Sequence, residues 1–133
     1  MTVKTLVVDD DPIVLDSCKR VFEAEGFEVC LVPSTDKALE VMKNNIFDIL
    51  LIDVKMPERD GMYLMREVKK QWPEMPLIVM SGYPTPETIA EGLRLGAAKF
   101  IAKPFTPDEL FEAVHQVLQE EKSHETPKGS GNR

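Results

Sequence analysis

Five short apolar runs recur through the chain, at Thr5–Val8, Glu28–Val32, Ile49–Ile52, Leu77–Met80 and Lys99–Ala102, and each is followed by a stretch with apolar residues at helical spacing. Runs this short, rich in Val, Ile and Leu and with little alternation, read as strands buried on both faces. Strands alternating with helices imply right-handed crossovers and a mostly parallel sheet covered on both sides. The fold class is therefore α/β, a doubly wound (βα)5 three-layer sandwich. At 133 residues there is room for one such domain and no second.

Local signals punctuate the pattern. Asp11-Pro12 reads as a cap and first helical residue, and Gly26 as the left-handed stop of that helix. Ser34 or Thr35 caps a second helix with the stripe Ala38, Leu39, Val41, Met42 and Ile46. A third helix starts near Met62, after a turn in which Gly61 permits a positive φ, and ends before Pro73. Thr85-Pro86-Glu87 opens a fourth, carrying Ile89, Leu93 and Leu95 and closing at Gly96. Thr106-Pro107-Asp108-Glu109 is a capping box before the stripe Leu110, Phe111, Val114, Val117 and Leu118. The domain is expected over 1–122, with 123–133, which lacks apolar anchors, as a disordered tail or the start of a linker.

The formal net charge of −7 argues against attraction to nucleic acid phosphates or to anionic lipid. Cys18 and Cys30 lie in a helix and a strand without metal-ligand spacing and read as reduced core residues. Met56, Met62, Met65 and Met80 read as packing residues, and His115 as a solvated flank of the last helix. Neither a leader nor a membrane-length apolar stretch is evident, so a cytoplasmic location is expected.

In an open α/β sheet the functional crevice lies beyond the carboxyl ends of the strands. There the sequence places Asp9 and Asp10, Asp53, Ser81 and Lys103. Carboxylates gathered in one pocket repel, and must either hold protons or share a cation. Mg²⁺ answers this economically: Asp10 and Asp53 as direct ligands, the Lys55 carbonyl as a third, and Asp9 through a water. Lys103 then supplies a point charge to a phosphoryl group, Ser81 a hydrogen bond, Gly82 space for the group to enter, and Asp53 the nucleophile that forms an acyl phosphate.

With these residues assembled, the chain resembles a response-regulator receiver domain, the phosphoacceptor module of two-component signalling. The resemblance covers about Lys4 to Lys122 and is carried by Leu6-Val7-Val8-Asp9-Asp10, by Asp53-Val54-Lys55-Met56-Pro57 with Asp60-Gly61, by Val79-Met80-Ser81-Gly82, by Gly96-Ala97 and by Lys103-Pro104-Phe105. It implies a flavodoxin-like strand order 2-1-3-4-5, phosphoryl transfer onto Asp53 from a sensor histidine kinase or a phosphotransfer protein with Mg²⁺, and slow self-dephosphorylation rather than multiple turnover. It also implies a switch in which Ser81 moves toward the phosphoryl group and Phe100 turns inward, changing the helix 4, strand 5 and helix 5 surface for an output domain or effector. A cis Lys103-Pro104 bond and a phosphorylation-dependent homodimer belong to the same implication. In two respects the chain departs: Ala98-Lys99 stands before Phe100, where winged-helix regulators usually carry an acidic pair, which puts their dimer salt bridges in doubt, and Phe100 lacks the hydroxyl of the common Tyr, so packing alone should govern its turning.

Two other classes remain open. Asp9-Asp10-Asp11 contains the Asp-x-Asp of haloacid-dehalogenase phosphatases, which would make Asp9 the nucleophile, although Asp11 is better used as a cap and no cap domain is present. An interaction module that is never phosphorylated is the other, against which the complete set of five residues speaks.

Overall fold

The structure is a computed structural model that describes residues 2–130, with side chains described through Glu121. Strands β1 (Lys4–Val8), β2 (Glu28–Val32), β3 (Ile49–Asp53), β4 (Leu77–Ser81) and β5 (Lys99–Ala102) alternate with helices α1 (Pro12–Ala24), α2 (Thr35–Asn44), α3 (Gly61–Gln71), α4 (Pro86–Arg94) and α5 (Pro107–Ser130). All strand pairs are parallel, in the order β2-β1-β3-β4-β5. The chain is thus the doubly wound sandwich that its pattern predicts.

Side chains along a strand point alternately to its two faces, and two cores result. Leu6, Val8, Leu50, Ile52, Leu77 and Val79 pack with Ala38 and Met42 of α2 and with Leu64, Met65 and Val68 of α3. Val7, Ile49, Leu51, Ile78 and Met80 pack with Cys18 and Phe22 of α1 and with Leu110, Val114 and Val117 of α5. Leu110 is fully buried in the second core, so Leu110→Ala should cost about 3 kcal/mol in urea unfolding. Strand order reverses between β1 and β3, which opens the crevice beyond Asp9 and Asp53.

Most punctuation behaves as expected. Asp11 Oδ1 accepts the Ile13 N–H at 2.9 Å, and Gly26 and Gly96 take φ of 80° and 102°. The capping box closes reciprocally, with the Thr106 N–H 2.8 Å from Glu109 Oε1 and the Glu109 N–H 3.1 Å from Thr106 Oγ1. Ser34, rather than Thr35, caps α2 by accepting the Lys37 N–H at 3.2 Å.

Several details differ. Gly61 begins α3 without a positive φ, and the left-handed residue of that loop is Glu58, at φ 68°. Ile46 lies past the end of α2 and is 84% exposed, and Leu93 of α4 is 53% exposed, because no second layer stands opposite either one. Cys18 is buried as expected, whereas Cys30 is half-buried on the edge strand β2. Helix α5 runs to Ser130, past the expected domain end at Lys122. The expected tail therefore begins inside a helix, and its last residues, 131–133, lie outside the described ones.

Candidate phosphoacceptor site

The carboxyl ends of four strands build the site. Asp53 is the last residue of β3 and Ser81 the last of β4, while Asp9 and Lys103 directly follow β1 and β5. Parallel registry brings these ends to one rim: Asp53 pairs with Met80, and Ser81 with Ala102. Asp9 is held there by its own N–H, which donates to the Val32 carbonyl at 3.1 Å.

Carboxylate oxygens of Asp9, Asp10 and Asp53 all lie within 4.8 Å of one another. Asp9 and Asp53 are buried and Asp10 is exposed, so the cluster opens toward solvent on the Asp10 side. Beside it, a cavity of about 470 Å³ is lined by Asp10, Val54, Lys55, Met56, Pro57 and Asp60. Lys103 Nζ reaches into the cluster, 2.7 Å from Asp9 Oδ2 and 3.2 Å from Asp53 Oδ1.

Three carboxyl groups share one lysine, which meets Asp9 and Asp53. The consequence shows in Asp53. Burial, then the Asp9 charge, pushes its carboxyl up to about 6 against the pull of Lys103 and of a backbone hydrogen bond from Lys55. Desolvation alone would lower the Lys103 ammonium, but its contacts with Asp9 and Asp53 raise it, so it stays charged. Cys18, behind Asp9, is pushed up to about 12 by burial and by Asp9, so its thiol remains protonated and inert.

Asp9 does more than the sequence reading assigned to it. Its Oδ1 accepts the Asp11 N–H at 2.9 Å, which shapes the turn into α1. Its buried Oδ2 has no aligned hydrogen bond and meets only the off-axis ammonium of Lys103. A buried Asp9 oxygen whose partner is the Lys103 ammonium alone, two further carboxylates and an open side form an all-oxygen donor set that fits a hard divalent cation such as Mg²⁺.

The remaining predicted residues fall around this cluster. Ser81 Oγ accepts the Tyr83 N–H at 3.1 Å, which leaves its own proton free to donate. Around Gly82 there is open space: a Cβ there would meet nothing within 4 Å. Phe100, half-buried, packs against Gly92 of α4, where an added Cβ would stand 3.7 Å from its ring. The Lys103-Pro104 bond is cis, as the resemblance implies. Lys55 lines the cavity and sets its Nζ 5.6 Å above the Tyr83 ring.

Lys103→Met tests the electrostatics. With its counter-charge gone, the Asp9–Asp53 pair should lower stability by about 3 kcal/mol at pH 8 and by much less at pH 4, where Asp53 is protonated. Urea unfolding at the two pH values checks this. A loss independent of pH would mean that Lys103 acts through packing of its stem.

A five-stranded parallel sheet with an acidic cluster, a hydroxyl and a lysine on one rim defines the class of doubly wound, flavodoxin-like acidic-site proteins. Within that class, residues 5–115 match the response regulator receiver domain, and the chain belongs to that family. It is 33% identical over 119 residues to the response regulator SaeR of Staphylococcus aureus (strain USA300), covering 90% of this chain and 52% of SaeR. The chain thus spans about half the length of the curated relatives it matches. Among solved structures, a CheY-like receiver domain protein from Methanospirillum hungatei JF-1 superposes with TM-score 0.89 at 33% identity, over 93% of this chain and 99% of that one. NtrX from Brucella abortus superposes at 0.91 with 30% identity, over 97% of this chain and 29% of that one. Among the described residues no helix is long and apolar enough to cross a membrane.

Sequence reasoning brought Asp9, Asp10, Asp53 and Lys103 to one rim but missed two relations. It treated Lys103 as a partner of the incoming group only, although the lysine already pairs with Asp9 and Asp53. It also read Thr35 only as an alternative cap of α2, whereas its buried hydroxyl donates to the Arg59 carbonyl at 2.8 Å. A second hydroxyl beside the Ser34 cap was the only available hint.

Proposed function

We propose that this receiver domain accepts a phosphoryl group on Asp53 from a phosphohistidine of a sensor histidine kinase or phosphotransfer protein. The observation that carries the reading is the setting of Asp53: 5% exposed, at a strand end, 3.2 Å from a lysine and grouped with two further carboxylates. Asp53 Oδ attacks phosphorus as the bond to the donor imidazole breaks, and the electron pair leaves with that nitrogen, which takes up a proton. With its carboxyl near 6, Asp53 is largely ionised at neutral pH and available as a nucleophile. Lys103 neutralises oxygens of the arriving group, and Ser81 donates its free proton to one of them.

Asp10, Asp53 and the Lys55 carbonyl, with Asp9 through a water, would hold Mg²⁺, which when bound supplies further neutralisation of the phosphoryl oxygens. Phosphorylation then biases an existing equilibrium at the α4–β5–α5 surface. Helix α4 suits that task, since Gly92 is its only buried residue. The output domain or effector and a phosphorylation-dependent homodimer would read this surface. Hydrolysis of the acyl phosphate resets the domain, and no multiple-turnover activity is expected.

The phosphatase reading loses support from the same geometry. Asp9 is 0% exposed, with one oxygen bonded to the Asp11 N–H and the other against Lys103, so it is poorly placed to attack a substrate. Treatment with beryllofluoride and Mg²⁺ should shift the amide resonances of Ser81, Gly82 and Phe100 in the wild-type chain. Unchanged spectra, or repeated hydrolysis of small phosphate esters, would count against a phosphoacceptor.

A further inference from the structure

We propose that Thr35 is a positioning residue for the Asp53 site, its hydroxyl setting the conformation of the Lys55–Asp60 loop from the neighbouring helix α2. The inference rests on the phosphoacceptor reading, because that loop carries the Lys55 carbonyl and lines the cavity beside Asp10.

At its base the loop is closed by the Gly61 N–H, which donates to the Val54 carbonyl at 2.8 Å. Met56 anchors the ascending limb in the core, at 8% exposure. The descending limb has no such anchor of its own: Pro57, Glu58, Arg59 and Asp60 are exposed. It also contains Glu58 in the left-handed region at φ 68°, which is unfavourable for a residue with a Cβ. Such a conformation persists only where its surroundings hold it.

Helix α2 shares in the holding. Thr35 is 1% exposed, and its Oγ1 donates to the Arg59 carbonyl at 2.8 Å with the Asp60 carbonyl alongside at 3.4 Å. The next residue, Asp36, lies 3.7 Å from the Arg59 guanidinium, but both side chains are exposed and water screens the pair. From the α3 side the limb is held by the Tyr63 N–H, which donates to Asp60 Oδ1 at 3.0 Å, and by the exposed Arg59–Tyr63 side-chain hydrogen bond at 3.0 Å. The buried Thr35 hydroxyl is the directional tie from α2. Because Ser34 already caps α2, the Thr35 hydroxyl is free for this contact. Residues behind a metal ligand that fix its orientation typically change metal affinity by about 10–100-fold when removed.

Three variants decide the matter. Thr35→Val keeps the shape and loses the hydroxyl, Thr35→Ser keeps the hydroxyl, and Val117→Ala weakens the opposite core. In the metal-free chain, amide hydrogen exchange at Lys55–Asp60 should speed up in Thr35→Val and stay near wild type in Thr35→Ser. By calorimetry, the Mg²⁺ dissociation constant of Thr35→Val should rise about tenfold, again with rescue by Ser. Val117→Ala should lower the melting temperature and move neither readout. Equal loop exchange in Thr35→Val and wild type, or an equal effect of Val117→Ala, would overturn the proposal. Wild-type protein that binds no Mg²⁺ would instead overturn the reading of the site, while loop exchange would still judge the tie made by Thr35.

Discussion

Asp53→Asn should abolish the phosphoryl adduct that the wild-type chain forms with acetyl phosphate and Mg²⁺, and should make the metal-free protein more stable above pH 6. The first effect follows from chemistry, because a neutral amide does not attack phosphorus to give an acyl phosphate. Intact mass spectrometry reads it directly. An adduct that survives in Asp53→Asn, or one lost only in Asp9→Asn, would move the nucleophile away from Asp53.

The second effect follows from linkage. Burial and Asp9 raise the Asp53 carboxyl from 3.8 to about 6, so the folded chain binds its proton more tightly than the unfolded chain does. That contribution to stability is fully present below pH 3.8 and is lost as pH rises through about 6. Above that range the ionised side chain opposes folding, and its removal should add about 1–2 kcal/mol at pH 8 and almost nothing near pH 4. Urea unfolding of both chains at the two pH values tests the sign. Under the proposed function, activity would run against stability, since the crowded carboxylates that oppose folding are the groups that would receive a cation and a phosphoryl group.

Gly61→Ala should be the most damaging single-methyl change near the site. A Cβ at Gly61 would run into the Asp53 carbonyl oxygen and stand 2.9 Å from Ile52 Cγ2. Neither can retreat, because Ile52 and Asp53 belong to a central strand bonded on both sides. Helix α3 must therefore move off β3, at a cost of about 3–4 kcal/mol, above the usual range for overpacking. Because the same shift displaces the Asp60 end of the loop, Mg²⁺ affinity should fall with stability. Gly82→Ala is the control: its Cβ meets nothing within 4 Å, so stability should stay within about 0.5 kcal/mol of wild type. Equal unfolding midpoints for Gly61→Ala and the wild type would show that the close approach of α3 to β3 is not needed.

Much of this protein was legible from residue order, and the reason is periodicity. Buried strands read as short apolar runs, helices as stripes, and their ends as Asp11, Gly26, Thr85, Gly96 and Thr106, all signals that act over a few residues of chain. Asp9, Asp53, Ser81 and Lys103 followed, because in a parallel sheet the residue after each apolar run has to emerge on one rim. Strand order was different in kind: it came from resemblance, and the structure agrees with it.

What tertiary structure alone decided concerns surfaces that meet across the fold. Whether Ile46 and Leu93 are covered depends on what stands opposite, and nothing along the chain records that. The glycine that begins α3 proved to serve a close approach to Asp53, and the left-handed turn fell on Glu58. Lys103 was placed beside Asp9 as well as Asp53, and Thr35 against a carbonyl in another loop, by the packing of elements far apart in sequence. The sequence by itself determined which groups gather at the site; the fold decided their pairings, because hydrogen bonds and ion pairs depend on distances that periodicity does not carry.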